Sequence, residues 1–163
     1  MEHKDEVRGL RSAKTGPDGL RLVLNNSLAA VEDGRQEILR YLAPLDPRVQ
    51  NRLEVLFEEL VANVIRHGFV RGSDQSIHVL IEKCAGEIQL TFEDDGVPFN
   101  PLEAEAPEPF HDIETARVGG LGIPLATKMA SAMRYERPGE TGSAFRAQNR
   151  VIVTVSSAGA SRA

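Results

Sequence analysis

A single cysteine, Cys84, excludes an intrachain disulfide and any multi-cysteine metal site, and it suits a reducing compartment. We read it as a small strand residue. No stretch approaches the roughly 18 consecutive apolar residues of a membrane span, and the polar, charged N-terminus has no apolar signal region. A soluble cytoplasmic protein with no membrane role is the expectation. An excess of basic charge is missing as well. The formal net charge is -5, with both signs interspersed along the chain, so the one-sided basic footprint of a nucleic-acid binder is absent. His3, His78 and His111 lack partners at metal-ligand spacing. There is no internal repeat, no P-loop ending in Lys-Ser/Thr and no GxGxxG fingerprint.

What is present suffices for one ordinary domain: 163 residues, of which 41% are hydrophobic. Residues 1–18 mix charge, Gly and Pro without a period and read as a flexible tail, as do residues 157–163. The folded unit is therefore expected over 19–156. Leu20, Leu22 and Leu24 alternate as in a half-buried strand, and Ser27 suits the N-cap of a helix carrying Leu28, Val31, Ile38, Leu39 and Leu42. Asp46-Pro47 opens a second helix that can run to Gly68. Ile77, Val79, Ile81 and then Ile88, Leu90, Phe92 alternate around Ala85-Gly86, a hairpin. Residues 97–118 are Pro-rich and acidic, a long loop of the kind that serves as an active-site lid. A Gly-rich run leads into a helix with Ile123, Ala126, Met129, Ala130 and Met133 on one face, followed by strands near 133–136 and 150–155. The order predicts an α/β two-layer sandwich, a mixed and mostly antiparallel sheet of about five strands covered on one face by three helices.

Three local features carry chemistry. Along the second helix Glu59, Asn63 and His67 recur at i, i+4 and i+8 beside the apolar face of Leu53, Leu56, Phe57, Leu60 and Val64. A carboxylate there can accept a proton from a hydroxyl, and an Asn oxygen can ligate Mg²⁺, although a solvated helix face has the same pattern. His67 also suits capping of the helix C-terminus. Asp94-Asp95-Gly96 follows directly on a strand. An ionised Asp94 can accept from an amino group such as that of adenine and would be repelled by the oxygen of guanine, while Gly96 would let the backbone approach a flat ring. An Asp-Gly pair beside Pro98 can equally be a plain turn. Gly119-Gly120-Leu121-Gly122 opens a helix, where free N–H groups and the helix dipole receive phosphate oxygens, though Gly-rich turns before helices are common.

In this order and on these elements, the three features resemble the nucleotide-binding boxes of the GHKL ATPase and kinase superfamily over roughly residues 20–155. Glu59, Asn63 and His67 resemble its N box, Asp94 and Gly96 its first glycine box, and Gly120, Leu121 and Gly122 its second. The phrase from Asp94 to Pro101, the Gly-Gly-Leu-Gly-Ile run and the Asn149-Arg150 ending are most similar to the anti-sigma-factor serine kinases. The resemblance implies ATP and Mg²⁺ as ligands, Glu59 as general base, Asn63 on Mg²⁺, Asp94 on adenine, and Gly120 and Gly122 at the phosphates. Arg117 is the nearest basic candidate for phosphate charge in the acidic lid. It also implies a serine/threonine protein kinase acting in transcription regulation, which binds a sigma factor and phosphorylates an antagonist protein, with a homodimer through the sheet as a possible assembly. The alternative is a non-catalytic, nucleotide-dependent binding regulator on the same fold. A chaperone, topoisomerase or mismatch-repair ATPase would need further domains, and a sensor histidine kinase would need a phosphoacceptor helical hairpin. Neither is expected here.

Overall fold

The computed structural model describes residues 9–69, 74–103, 122–137 and 147–158. Six strands form one sheet in the order β1-β2-β3-β4-β6-β5, and every pairing is antiparallel. They are β1 (Leu10–Gly16), β2 (Gly19–Asn25), β3 (Ser76–Cys84), β4 (Glu87–Asp94), β5 (Ala132–Glu136) and β6 (Asn149–Ser156). Helices α1 (Ala29–Leu42), α2 (Pro47–Asn63) and α3 (Gly122–Met129) complete the two-layer sandwich. Among the described residues the sheet thus has one strand more than expected and no parallel pair.

The extra strand is β1, which lies within the stretch read as a tail. Its side chains are almost all exposed, so it has no apolar alternation to announce it. Backbone pairing with β2, from Leu10 opposite Leu24 to Gly16 opposite Gly19, holds it instead. An edge strand needs no buried face of its own, because its ladder bonds to the neighbouring strand suffice to place it.

Period-2 alternation set the core. Leu20, Leu22, Leu24, Ile77, Val79, Ile81, Ile88, Leu90, Phe92, Val151, Val153 and Val155 are all buried. They meet Ala30, Ile38 and Leu42 of α1, Val49, Leu53, Leu56, Phe57, Leu60 and Val61 of α2, and Ala126 of α3. Each large apolar side chain so buried contributes about 1.5–3 kcal/mol. Gly34 faces this core from α1. A Cβ there would lie 2.5 Å from Cζ of Phe57, so the missing side chain is what lets α1 approach α2. On the outer edge of the same contact, Arg35 bridges Glu54 at 2.7 Å and Glu58 at 3.0 Å.

Local signals at the helix ends held unevenly. Asp46 caps α2 by accepting from the N–H of Arg48 at 2.8 Å, with Pro47 in the first turn. Ser27 does not cap α1: Leu28 occupies the cap position, no side-chain bond forms, and Ser27 Oγ is buried without a partner among the described residues. Met133 belongs to β5 rather than to the face of α3, because α3 ends at Met129. The hairpin turn falls at Ala85-Gly86, where Gly86 has φ +79. No helix among the described residues is long and apolar enough to cross a membrane.

Candidate functional site

The strand register brings the site together at one end of the sheet. Leu24, Ile77, Asp94 and Asn149 are successive Cα partners across β2, β3, β4 and β6. The first two continue the apolar core. The last two replace it with a carboxylate and an amide on the same inward face, with Asp94 5% and Asn149 3% exposed. Buried polar side chains of this kind are stable only when their hydrogen bonds are made.

They are made to one another. Asp94 Oδ1 accepts from the Gly96 N–H at 2.9 Å and from Asn149 Nδ2 at 2.8 Å. Asn149 Nδ2 also donates to the Val97 carbonyl at 2.9 Å, while its Oδ1 accepts from the Phe99 N–H at 3.2 Å and the Tyr135 hydroxyl at 2.6 Å. Among the described residues both donors to Asp94 fall on Oδ1, which leaves Oδ2 for a ligand's donor. Burial pushes the Asp94 carboxyl above the usual Asp range. The bonds from Asn149 and Gly96 pull it back, and neighbouring Asp95 adds to the rise.

α2 supplies the opposite wall. It ends in a π-helical turn, Val64–Gly68, a distortion frequent at functional sites. The turn presents the Gly68 carbonyl to the Val97 N–H at 2.8 Å and stacks the His67 ring on Phe99, with centroids 5.6 Å apart. Of the i, i+4, i+8 stripe, Glu59 and Asn63 are half-buried and His67 is exposed. The Asn63 side chain has no hydrogen-bond partner among the described residues and lines a cavity with Leu60, Gly68, Phe92, Asp94, Phe99 and Pro101. That cavity measures about 20 Å³. It has room for about one water and none for a purine. The larger concavity, about 670 Å³, lies on the helix-free face around Val23, His78, Thr91 and Ile152, away from every one of these groups.

Glycines mark where backbone or charge comes closest. A Cβ at Gly96 would overlap the Gly68 carbonyl oxygen, an atom held by the backbone on both sides. Gly96→Ala is therefore expected to break the Gly68–Val97 bond and to cost about 1–3 kcal/mol, read as a lowered urea midpoint. A folded variant of unchanged stability would mean that this approach is not required. At the start of α3, the Glu59 carboxylate packs directly on Gly122, in the space that a Cβ would take. The N-box carboxylate and the last glycine of the Gly-rich run thus adjoin across α2 and α3. Gly120, Leu121 and Arg117 lie outside the described residues, as do 104–118 of the expected lid and 138–146 before β6.

The structure therefore brings Asn63 and Asp94 around one cavity, sets Gly96 against Gly68 and Asp94, and sets Glu59 against Gly122. Asn149 entered the sequence reading only as part of the Asn149-Arg150 ending, with no place at the site. Its signal was available: at period 2 it precedes Val151, Val153 and Val155, so it is an amide in an inward-facing series.

Residues 24–149 match the family described as the histidine kinase-like ATPase domain. The serine/threonine-protein kinase BtrW of Bordetella bronchiseptica is 27% identical over 90 residues, 55% of this chain and 63% of that protein. The anti-sigma F factor of Clostridium perfringens is 36% identical over 81 residues, 47% of this chain and 56% of that protein. The chain thus spans about three-fifths of the length of the curated relatives that it matches. Among solved structures, the histidine kinase domain of a blue-light-activated histidine kinase from Erythrobacter litoralis aligns with a TM-score of 0.48 at 13% identity, covering 82% of this chain and 61% of that one.

Proposed function

Since the chain belongs to the histidine kinase-like ATPase domain family, we propose that it binds ATP and transfers the γ-phosphoryl group to a Ser or Thr hydroxyl of a partner protein. The observation that carries this reading is Asp94. A buried carboxylate whose Oδ2 has no donor among the described residues, set in a cavity lined by Asn63 and Phe99, is built to receive a donor from a flat ligand. Adenine offers an amino group there, and guanine offers an oxygen that the carboxylate repels. Because the cavity holds only about one water, binding requires the Phe99 ring and Pro101 to move outward from the cavity while the Phe99 backbone keeps its bond to Asn149.

The chain's own groups then have separate tasks. Asn63, whose side-chain amide has no partner among the described residues, would hold a magnesium ion, which when bound neutralises phosphate charge. Gly122 at the start of α3 and the glycines before it offer backbone N–H groups to phosphate oxygens. Glu59, adjoining Gly122, accepts the proton of the incoming hydroxyl as the oxygen–phosphorus bond forms and ADP leaves with the electrons of the broken bond. The similarity to a protein named serine/threonine-protein kinase and to one named anti-sigma F factor supports a serine/threonine kinase that also binds a sigma factor and modifies its antagonist.

Calorimetric titration with ATP and GTP, each with and without magnesium, tests the site. We expect ATP to bind, GTP to bind at least about tenfold more weakly, and Asn63→Ala to abolish the gain from magnesium. Equal affinity for the two bases would remove Asp94 from the role of base selector, and an unaltered magnesium effect in Asn63→Ala would remove Asn63 from the metal.

A further inference from the structure

Asn149 makes four hydrogen bonds, more than the base-selecting role of Asp94 by itself demands. Its orientation is settled by its partners. Oδ1 faces the Phe99 N–H, which can only donate, and Nδ2 faces the Val97 carbonyl, which can only accept, together with Asp94 Oδ1. Both amide hydrogens are thus committed to protein acceptors, so Asn149 has none left for a ligand. Whatever it does at the site it does through Asp94 and the segment leaving it.

We propose that Asn149 is a positioning residue, which holds Asp94 as an ionised acceptor with Oδ2 presented to the base and anchors residues 97–99 beside it. The proposal rests on the ATP reading above for the identity of the base, but not for the bond between Asn149 and Asp94. Its physical basis is direct. A buried carboxylate tends to take up a proton, and a protonated Asp94 can no longer serve two donors on Oδ1 while accepting on Oδ2. The amide hydrogen of Asn149 opposes that protonation and fixes which oxygen points outward. Tyr135, donating to Asn149 Oδ1 from the edge strand β5, polarises the amide and strengthens its bond to Asp94.

Among the described residues few other charges face this carboxyl. Asp95, next along the chain, favours protonation, as burial does. Tyr135 reaches it through Asn149, and His67 at the end of α2 meets Phe99 rather than Asp94. β3 contributes apolar Ile77 as the paired residue. Removing Asn149 therefore leaves burial and Asp95 unopposed except by the Gly96 N–H.

The test uses the full chain with Asn149→Leu, which keeps the volume and loses the bonds, and Tyr135→Phe, which removes only the hydroxyl. The Asp94 carboxyl carbon is titrated by NMR without nucleotide, and ATP affinity is measured between about pH 8 and about pH 5.5. We expect the Asp94 midpoint to lie higher in Asn149→Leu than in wild type, and in Tyr135→Phe to move the same way by less. We also expect the affinity loss on acidification to be at least about threefold larger in Asn149→Leu. Comparison with wild type at each pH cancels titration of the nucleotide itself, and a mere loosening of residues 97–99 would change affinity equally at every pH. If Asn149→Leu fails to fold, Tyr135→Phe decides. An Asp94 midpoint that stays at the wild-type value in every folded variant overturns the proposal. A midpoint that moves while ATP affinity keeps its wild-type pH dependence supports the hold of Asn149 on Asp94 and overturns the reading of Asp94 as the base acceptor.

Discussion

Asp94→Asn is expected to weaken ATP binding by about 100-fold or more while leaving the fold as stable as before, or more so. The two expectations come from the same geometry. An Asn oxygen can still accept from the Gly96 N–H and Asn149 Nδ2, so the internal bonds survive. The second position, now an NH₂ group, turns a donor toward the amino group of adenine, and a site built to accept a hydrogen bond then opposes the ligand it selected. For stability, the sign follows from the raised carboxyl of Asp94. The folded chain binds this proton more tightly than the unfolded chain does. The stabilisation is fully present below the ordinary Asp value and is lost as pH rises through the higher folded value, so at neutral pH the buried charge costs stability. Asn carries no such charge. Denaturant titrations at about pH 5 and about pH 8 should show the variant gaining on wild type at the higher pH. Calorimetry should show the loss of ATP at both. Retained ATP affinity would refute the role of Asp94 as base acceptor.

Glu59→Gln is expected to separate binding from chemistry. The substitution keeps the shape of the side chain against Gly122, so the α2–α3 contact persists. It removes a negative charge adjoining the glycine that begins α3, where phosphate oxygens are expected, so ATP affinity should be unchanged or somewhat higher. Gln cannot accept the hydroxyl proton, and transfer to a protein substrate should fall by about 10² to 10⁴. Labelled ATP with a candidate antagonist protein, measured beside calorimetry on the same preparation, checks both arms. Full-rate transfer in Glu59→Gln would mean that another group takes the proton.

The features legible in the sequence were those whose cause is local. Alternation in Leu20–Leu24, Ile77–Ile81 and Ile88–Phe92 marks strands with one buried face, and the Asp46-Pro47 signal marks the start of α2. Glu59, Asn63, Asp94 and Gly96 could be picked out as candidates because each sits within a few residues of a helix or strand end. β1 was not legible, since an exposed edge strand buries no alternating face. Ser27 misled because a capping residue type marks a helix start only where the backbone turns at that residue, and here the turn comes at Leu28.

By itself, then, and β1 apart, the sequence determined which segments fold, which faces they bury and which chemical groups stand at their ends. Period, capping and turn chemistry act over fewer than about ten residues, so they can be read along the chain. Only the tertiary structure decided that Asn149, 55 residues beyond Asp94, would lie opposite it across β4 and β6 and donate to it. It alone set Glu59 against Gly122 and stacked His67 on Phe99. Such neighbours follow from strand register and helix packing, and these are set by the burial of the whole apolar face at once. No short stretch of sequence contains that sum.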